Sequence, residues 1–146
     1  MSKTNTWEND LLLLLFNNTD ATLIGDAAGL QNSATAGSLY VSLHTADPGE
    51  AGTQTTNEAA YTSYARVAVA RSAGGWTVAS NAVANTAAIT FPAATGGSSL
   101  VTHFGVGTDV SGAGKLLYKG ALTPSITVTT GITPQIPAGD LDITED

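Results

Sequence analysis

Leu39-Tyr40-Val41-Ser42-Leu43-His44 sets three aliphatic residues at alternate positions, the period-two pattern of a strand with one buried face. Thr45-Ala46-Asp47-Pro48-Gly49 then turns the chain, because proline presets φ and glycine adopts backbone angles that other residues avoid. The same alternation and punctuation recur downstream. Tyr64 to Arg71 reads as a second strand with Val67 and Val69 on one face, and Trp76 to Val78 as a third behind Gly74-Gly75. Ala87 to Phe91 is a fourth, closed by Pro92. Leu100 to Val106 is the fifth, with Leu100, Thr102, Phe104 and Val106 expected on one side and Val101 and His103 on the other. Lys115 to Leu122 is the sixth, and Pro124 is expected to separate it from a seventh, Ser125 to Thr129. A last short strand holds Leu141 and Ile143. Seven or eight short strands without strand–helix–strand alternation predict an all-β chain, an antiparallel β-sandwich or jelly roll.

The first 37 residues read differently. Thr6 precedes Trp7, Glu8 and Asn9 in the manner of an N-cap with acid in the first turn. Leucines 11–15 and Phe16 follow until Asn17-Asn18 stops them, so a short helix from about Thr6 to Phe16 is expected. Apolar residues lie on nearly every side of it, which calls for packing against its own sheet or against a neighbouring subunit. Trp7, Leu11, Leu12, Leu15 and Phe16 are the candidate interface residues. Residues 17–37 are Asn, Asp, Gly, Ala and Ser with few anchors (Leu23, Ile24 and Leu30) and read as an irregular arm. The expected organisation is a helix and arm over 1–37 and a β domain over 38–146.

Composition narrows function by exclusion. The 146 residues are 42% hydrophobic and only 12% charged, with a net charge of −7. Such a balance argues against a sequence-independent grip on nucleic acid, which needs Lys and Arg for the phosphates, and against docking on anionic lipid. Zero cysteines leave neither a disulfide framework nor a thiol nucleophile. The run Leu11 to Phe16 is too short for a membrane span and its flank is acidic, so neither a transmembrane segment nor a signal peptide is expected.

Motifs for chemistry are weak. His44 and His103 are the two histidines, and without H-x-H or H-x-x-x-H spacing they read as satisfied or interface histidines rather than metal ligands. Gly105-Val106-Gly107 lacks the third glycine and the helix of a dinucleotide loop. Gly112-Ala113-Gly114-Lys115 is followed by Leu116 where a phosphate loop has Ser or Thr. Asp140, Asp142, Glu145 and Asp146 lack calcium-loop spacing and read as a solvated tail. Tyr61, Tyr64 and Trp76 could form an exposed aromatic platform for a sugar, although such residues more often fill a core. The thirteen-residue polar segment Glu50 to Thr62 is long enough to flag. No catalytic residues, cofactor or metal site are expected.

In order, Leu39–Gly49, Glu58-Ala59-Ala60-Tyr61, Tyr64–Val69, Ile89-Thr90-Phe91-Pro92, Thr102–Val106, Leu116–Leu122 and Ile136-Pro137-Ala138-Gly139 resemble small virion proteins of tailed bacteriophages. These include tail-fibre-like proteins and head decoration (cement) proteins with jelly-roll-type folds. The resemblance spans about Leu39 to Ile143 and leaves out the helix and arm. It implies a non-enzymatic virion protein made in the host cytoplasm. The expectation placed first is a capsid decoration protein, a dimer or trimer on the capsid surface, with the major capsid protein and itself as partners. The second is a tail-fibre or adhesin module touching the host through Tyr61, Tyr64 or Trp76.

Overall fold

The computed structural model describes residues 2–146. In chain order the elements are α1 (Asn5–Asn17), β1 (Ser38–His44), β2 (Val67–Ala70), β3 (Trp76–Ala79), β4 (Ala82–Asn85), β5 (Ile89–Thr90), β6 (Ser98–Gly107), β7 (Leu116–Thr129), β8 (Gln135–Ile136) and β9 (Asp142–Thr144). They form sheets of order β2-β1-β6-β7, β3-β4-β9 and β5-β8. The registers resolved between β1 and β6, β6 and β7, β3 and β4, and β4 and β9 are all antiparallel. The chain is thus all-β with one short N-terminal helix, as its patterning predicts. The pairings are consistent with a sandwich and do not establish a jelly roll.

The chain divides into two compact units: residues up to Ser38 with Val69–Ala88 and Ile136–Asp146, and Leu39–Ala68 with Ile89–Gln135. In the first, α1 packs on β3 and β4. Leu12 and Phe16, one turn apart, are completely buried, and the Phe16 ring meets the edge of buried Trp76 with centroids 4.9 Å apart. The helix begins earlier than its sequence suggests. Thr4, not Thr6, is the N-cap; its carbonyl accepts the first helical bond from Glu8 N–H at 3.0 Å, and its side chain makes no capping bond. Asn18 closes the helix in the left-handed region at φ 54°, a conformation that asparagine tolerates better than most residues. The last turn has no basic residue of its own. Arg71 supplies one, donating to the carbonyls of Leu15 at 2.6 Å and Leu14 at 2.7 Å, where the helix dipole favours a cation. Buried Asn85 ties the C-terminal segment to β4 through bonds to Ala87 O, Pro137 O and Leu141 N–H.

In the second unit, β1 and β6 pair with Val41 opposite Val106 and Leu43 opposite Phe104. These four side chains are buried on one face. The expected alternation along β6 fails in its first half: Leu100 is 53% exposed and Val101 is fully buried. The change falls where the pairing of β6 with β7 shifts register. Val101 pairs with Ile126 but His103 pairs with Ala121, so residues 122–125 of β7 bulge opposite Thr102. Pro124 lies in that bulge, where no ladder bond is asked of it. It therefore interrupts one long strand instead of separating two. The second expected strand shrinks to β2 because Tyr64 and Arg66 are drawn into side-chain bonds described below. β4 and β8 give no signal in the sequence, the former being Ala-Val-Ala-Asn.

Candidate functional site

Side chains at i and i+2 of a strand share a face, so Ser42 and His44 lie together, opposite the Val41/Leu43 side. Register sets Ser42 against Gly105 and His44 against His103. The resulting face is polar, and Ser42 and His44 are completely buried on it. Ser42 Oγ meets His44 Nε2 at 2.8 Å, and His44 Nδ1 meets Thr56 O at 2.8 Å. Since a carbonyl only accepts, Nδ1 carries the proton and Nε2 accepts from the serine hydroxyl. Burial pushes the His44 pKa down, against the opposing pull of the Thr56 carbonyl and the Glu58 charge. Gly105 makes room for the pair: a Cβ there would come within 2.7 Å of His44 Nε2, Ser42 Oγ and Leu116 Cδ1. A hydroxyl bonded to imidazole is the arrangement nucleophilic catalysis uses. Here both groups are enclosed, so the bond satisfies two buried polar groups rather than activating a nucleophile.

Residues 50–62 form the cover. Gln54 is buried, its Oε1 accepting from Asp109 N–H at 2.9 Å while its backbone N–H donates to Ala113 O at 2.8 Å. Glu58, half-buried, is the acid that pairs with buried Arg66. Arg66 Nε donates to Glu58 Oε1 at 2.7 Å and Nη2 to Oε2 at 2.8 Å, the two-pronged geometry a guanidinium offers a carboxylate. The same guanidinium donates to Asp109 O at 2.8 Å and Gly112 O at 2.7 Å, pinning the β6–β7 connection. The hydrogen bond to Glu58 raises the Arg66 pKa further. Tyr64 joins the group, donating to Glu58 Oε1 at 2.9 Å and accepting from Leu43 N–H at 3.0 Å. Burial pushes its phenol well above the usual value. Glu58, Tyr64, Arg66, Val110 and Ser111 line a depression of about 270 Å³. A second, of about 260 Å³, lies between Gly49–Gly52 and Leu116–Lys119. On its rim Lys119 pairs with Asp47 at 3.0 Å and Glu50 at 3.1 Å. The Gly49 N–H and Lys119 hold the Asp47 carboxyl below its usual range, and the hydrogen bond to Asp47 raises the Lys119 pKa.

Of the two readings of Tyr61, Tyr64 and Trp76, core filling holds for Tyr61 and Trp76, and Tyr64 keeps partial exposure. Trp76 is fully buried beside Phe16 in the first unit. Tyr61 is buried in the second, its ring 5.4 Å from that of Tyr64, which in turn stacks with Phe91 at 6.5 Å. Trp76 is turned inward at the start of β3, whereas Tyr61 lies outside the strands and is held inward by its hydroxyl, which donates to Pro92 O at 3.0 Å. Of the five candidate interface residues, Leu12 and Phe16 are completely buried within the first unit, while Trp7, Leu11 and Leu15 keep partial exposure. Among the described residues, no cluster of three or more His, Asp or Glu is placed to hold a metal ion, and no helix is long and apolar enough to cross a membrane.

The sequence reading did not foresee the Glu58–Arg66 pair, the Arg71 cap or the packing role of Asn85. The pair had one legible signal: a lone arginine within a strand pattern, eight residues after a lone glutamate.

The arm is the most exposed part of the first unit. Ala21 and Leu30 bridge through reciprocal backbone bonds at 3.0 and 2.8 Å, and Leu23, Ile24 and Leu30 show apolar surface.

A family model described as Podophage GP4 fiber I protein gp80 (Gp80) matches residues 2–144. No curated protein matches the chain.

Proposed function

The chain belongs to the Gp80 family of podophage fiber proteins, and from that membership we propose that it is a subunit of a virion fibre. The coarser statement is already firm: this is a bacteriophage structural protein. The observation that carries the fibre reading is the family match, which takes in the helix and arm as well as the β units. The family description favours the fibre over head decoration.

The structure supports a passive role. Ser42 and His44, and Glu58, Tyr64 and Arg66, bond one another inside the second unit. The half-exposed helix residues Trp7, Leu11 and Leu15 are available to neighbouring chains, whether further copies of this one or another virion protein. Contact with the host through Tyr61 or Trp76 is not part of this reading, because both are buried.

Copy number per particle, measured against the major capsid protein, together with gold-labelled antibody on intact virions, tests the assignment. A few to a few tens of copies with label on fibres is the expected result. Near-stoichiometry with the capsid subunit and label over the head would replace the fibre reading with head decoration.

A further inference from the structure

We propose that the arm is a preformed docking knob, and that its apolar tip inserts into an apolar pocket with a basic rim on another protein of the virion. The proposal rests on the chain being a virion structural protein and not on its placement in a fibre.

The arm is irregular but built. Asn18 Nδ2 donates to Ser33 O at 2.8 Å while Ser33 N–H donates back to Asn18 Oδ1 at 2.9 Å. Asp20 Oδ1 accepts from Asn32 N–H at 2.6 Å, and Asp26 Oδ1 accepts from Ala28 and Gly29 N–H at 2.9 and 3.0 Å. With the Ala21–Leu30 bridge, these bonds close the loop on itself. Between the bridge residues Leu23 is 81% exposed and Ile24 39%, and Leu30, on the bridge itself, is 43% exposed. Leu23 also sits at φ 66°, a region costly for a branched side chain with no local hydrogen bond to offset it. Strain held at an exposed position is a mark of function rather than of folding. An ordered loop that displays apolar side chains enters a partner with little further loss of chain entropy.

Charge decides the kind of partner. No Lys or Arg occurs between Lys3 and Arg66, so the arm's charges are Asp20 and Asp26 alone. Among the described residues both carboxylates bond backbone N–H groups. A second copy of the chain is poorly equipped to meet them. It has five basic side chains, and four are held within the chain: Lys3 by Glu145, Arg66 by Glu58, Arg71 by helix carbonyls, and Lys119 by Asp47 and Glu50. Two copies at −7 each also repel. A different protein carrying Lys or Arg around an apolar pocket satisfies both the tip and the acids.

The test uses phage propagated with the variant gene and the full-length chain. Leu23→Asn removes the apolar side chain but suits the left-handed backbone, so the purified variant should melt no lower than the wild type. Its copies per particle should fall at least tenfold. Ile24→Ser, at an ordinary backbone position, should behave the same way. Both variants incorporating at wild-type occupancy would overturn the proposal. Asp26→Asn keeps the Oδ1 acceptor and removes a charge, and a fall of threefold or more in occupancy is expected; an unchanged value would overturn the basic-rimmed partner. If sedimentation shows a wild-type dimer that Leu23→Asn dissolves, the occupant is a second copy and the proposal fails. Head label on wild-type virions, with the variants still lost, would sink the fibre reading and leave the knob intact.

Discussion

Two irregular segments of this chain, the cover at residues 50–62 and the arm at 18–37, share a small, polar composition and spend it in opposite ways. The cover turns its hydrogen-bonding groups inward: Thr56 meets His44, Gln54 meets Asp109, and Glu58 meets Arg66 and Tyr64. The arm uses Asn18, Asp20 and Asp26 to satisfy its own backbone and leaves leucine and isoleucine in solvent. Lack of regular structure therefore says nothing about role. The destination of the polar groups does. A cover is paid back in stability, whereas an exposed apolar loop finds its return only in contact with something else.

The contrast can be broken most forcefully at Arg66. Arg66→Ala leaves the half-buried Glu58 carboxylate without its counter-ion and frees the Asp109 and Gly112 carbonyls, which should cost about 2–4 kcal/mol in urea unfolding. A loss below about 1 kcal/mol would mean that the cover contributes no more than a surface loop. Gly105→Ala comes next. Its methyl must displace the Ser42–His44 pair or Leu116, at a cost of about 1–3 kcal/mol in the same measurement.

The pH dependence of stability probes the cover through His44. Its folded pKa lies below the ordinary 6.5, so below that pH the unfolded chain binds a proton that the folded chain refuses. Stability is then full above about pH 6.5 and declines as pH falls toward the lowered folded value, by at most about 1.4 kcal/mol per pH unit. His44→Gln should flatten that limb, and an unchanged slope would assign it to other groups. The smallest effect belongs to the arm: Leu23→Ala, which keeps the backbone strain and loses only exposed surface, should shift stability by less than about 0.5 kcal/mol. A larger loss would make the tip part of the fold.

Much of this was written locally. The alternation of residues 39–44, the Asp47-Pro48-Gly49 turn and the leucine run each declare an element, because periodicity and backbone preference are properties of neighbouring residues. The arm's irregularity and the absence of any base between Lys3 and Arg66 are likewise legible. What the residues could not disclose is which strand faces which. Register is a long-range choice. It alone puts Gly105 beside Ser42, sets His44 against His103 and opens the bulge that lets one strand run past Pro124. Burial followed from the same choice, turning Tyr61 and Trp76 from surface candidates into core. The Glu58–Arg66 pair is of this kind too, since a charge is placed in an interior only where folding delivers its counter-ion.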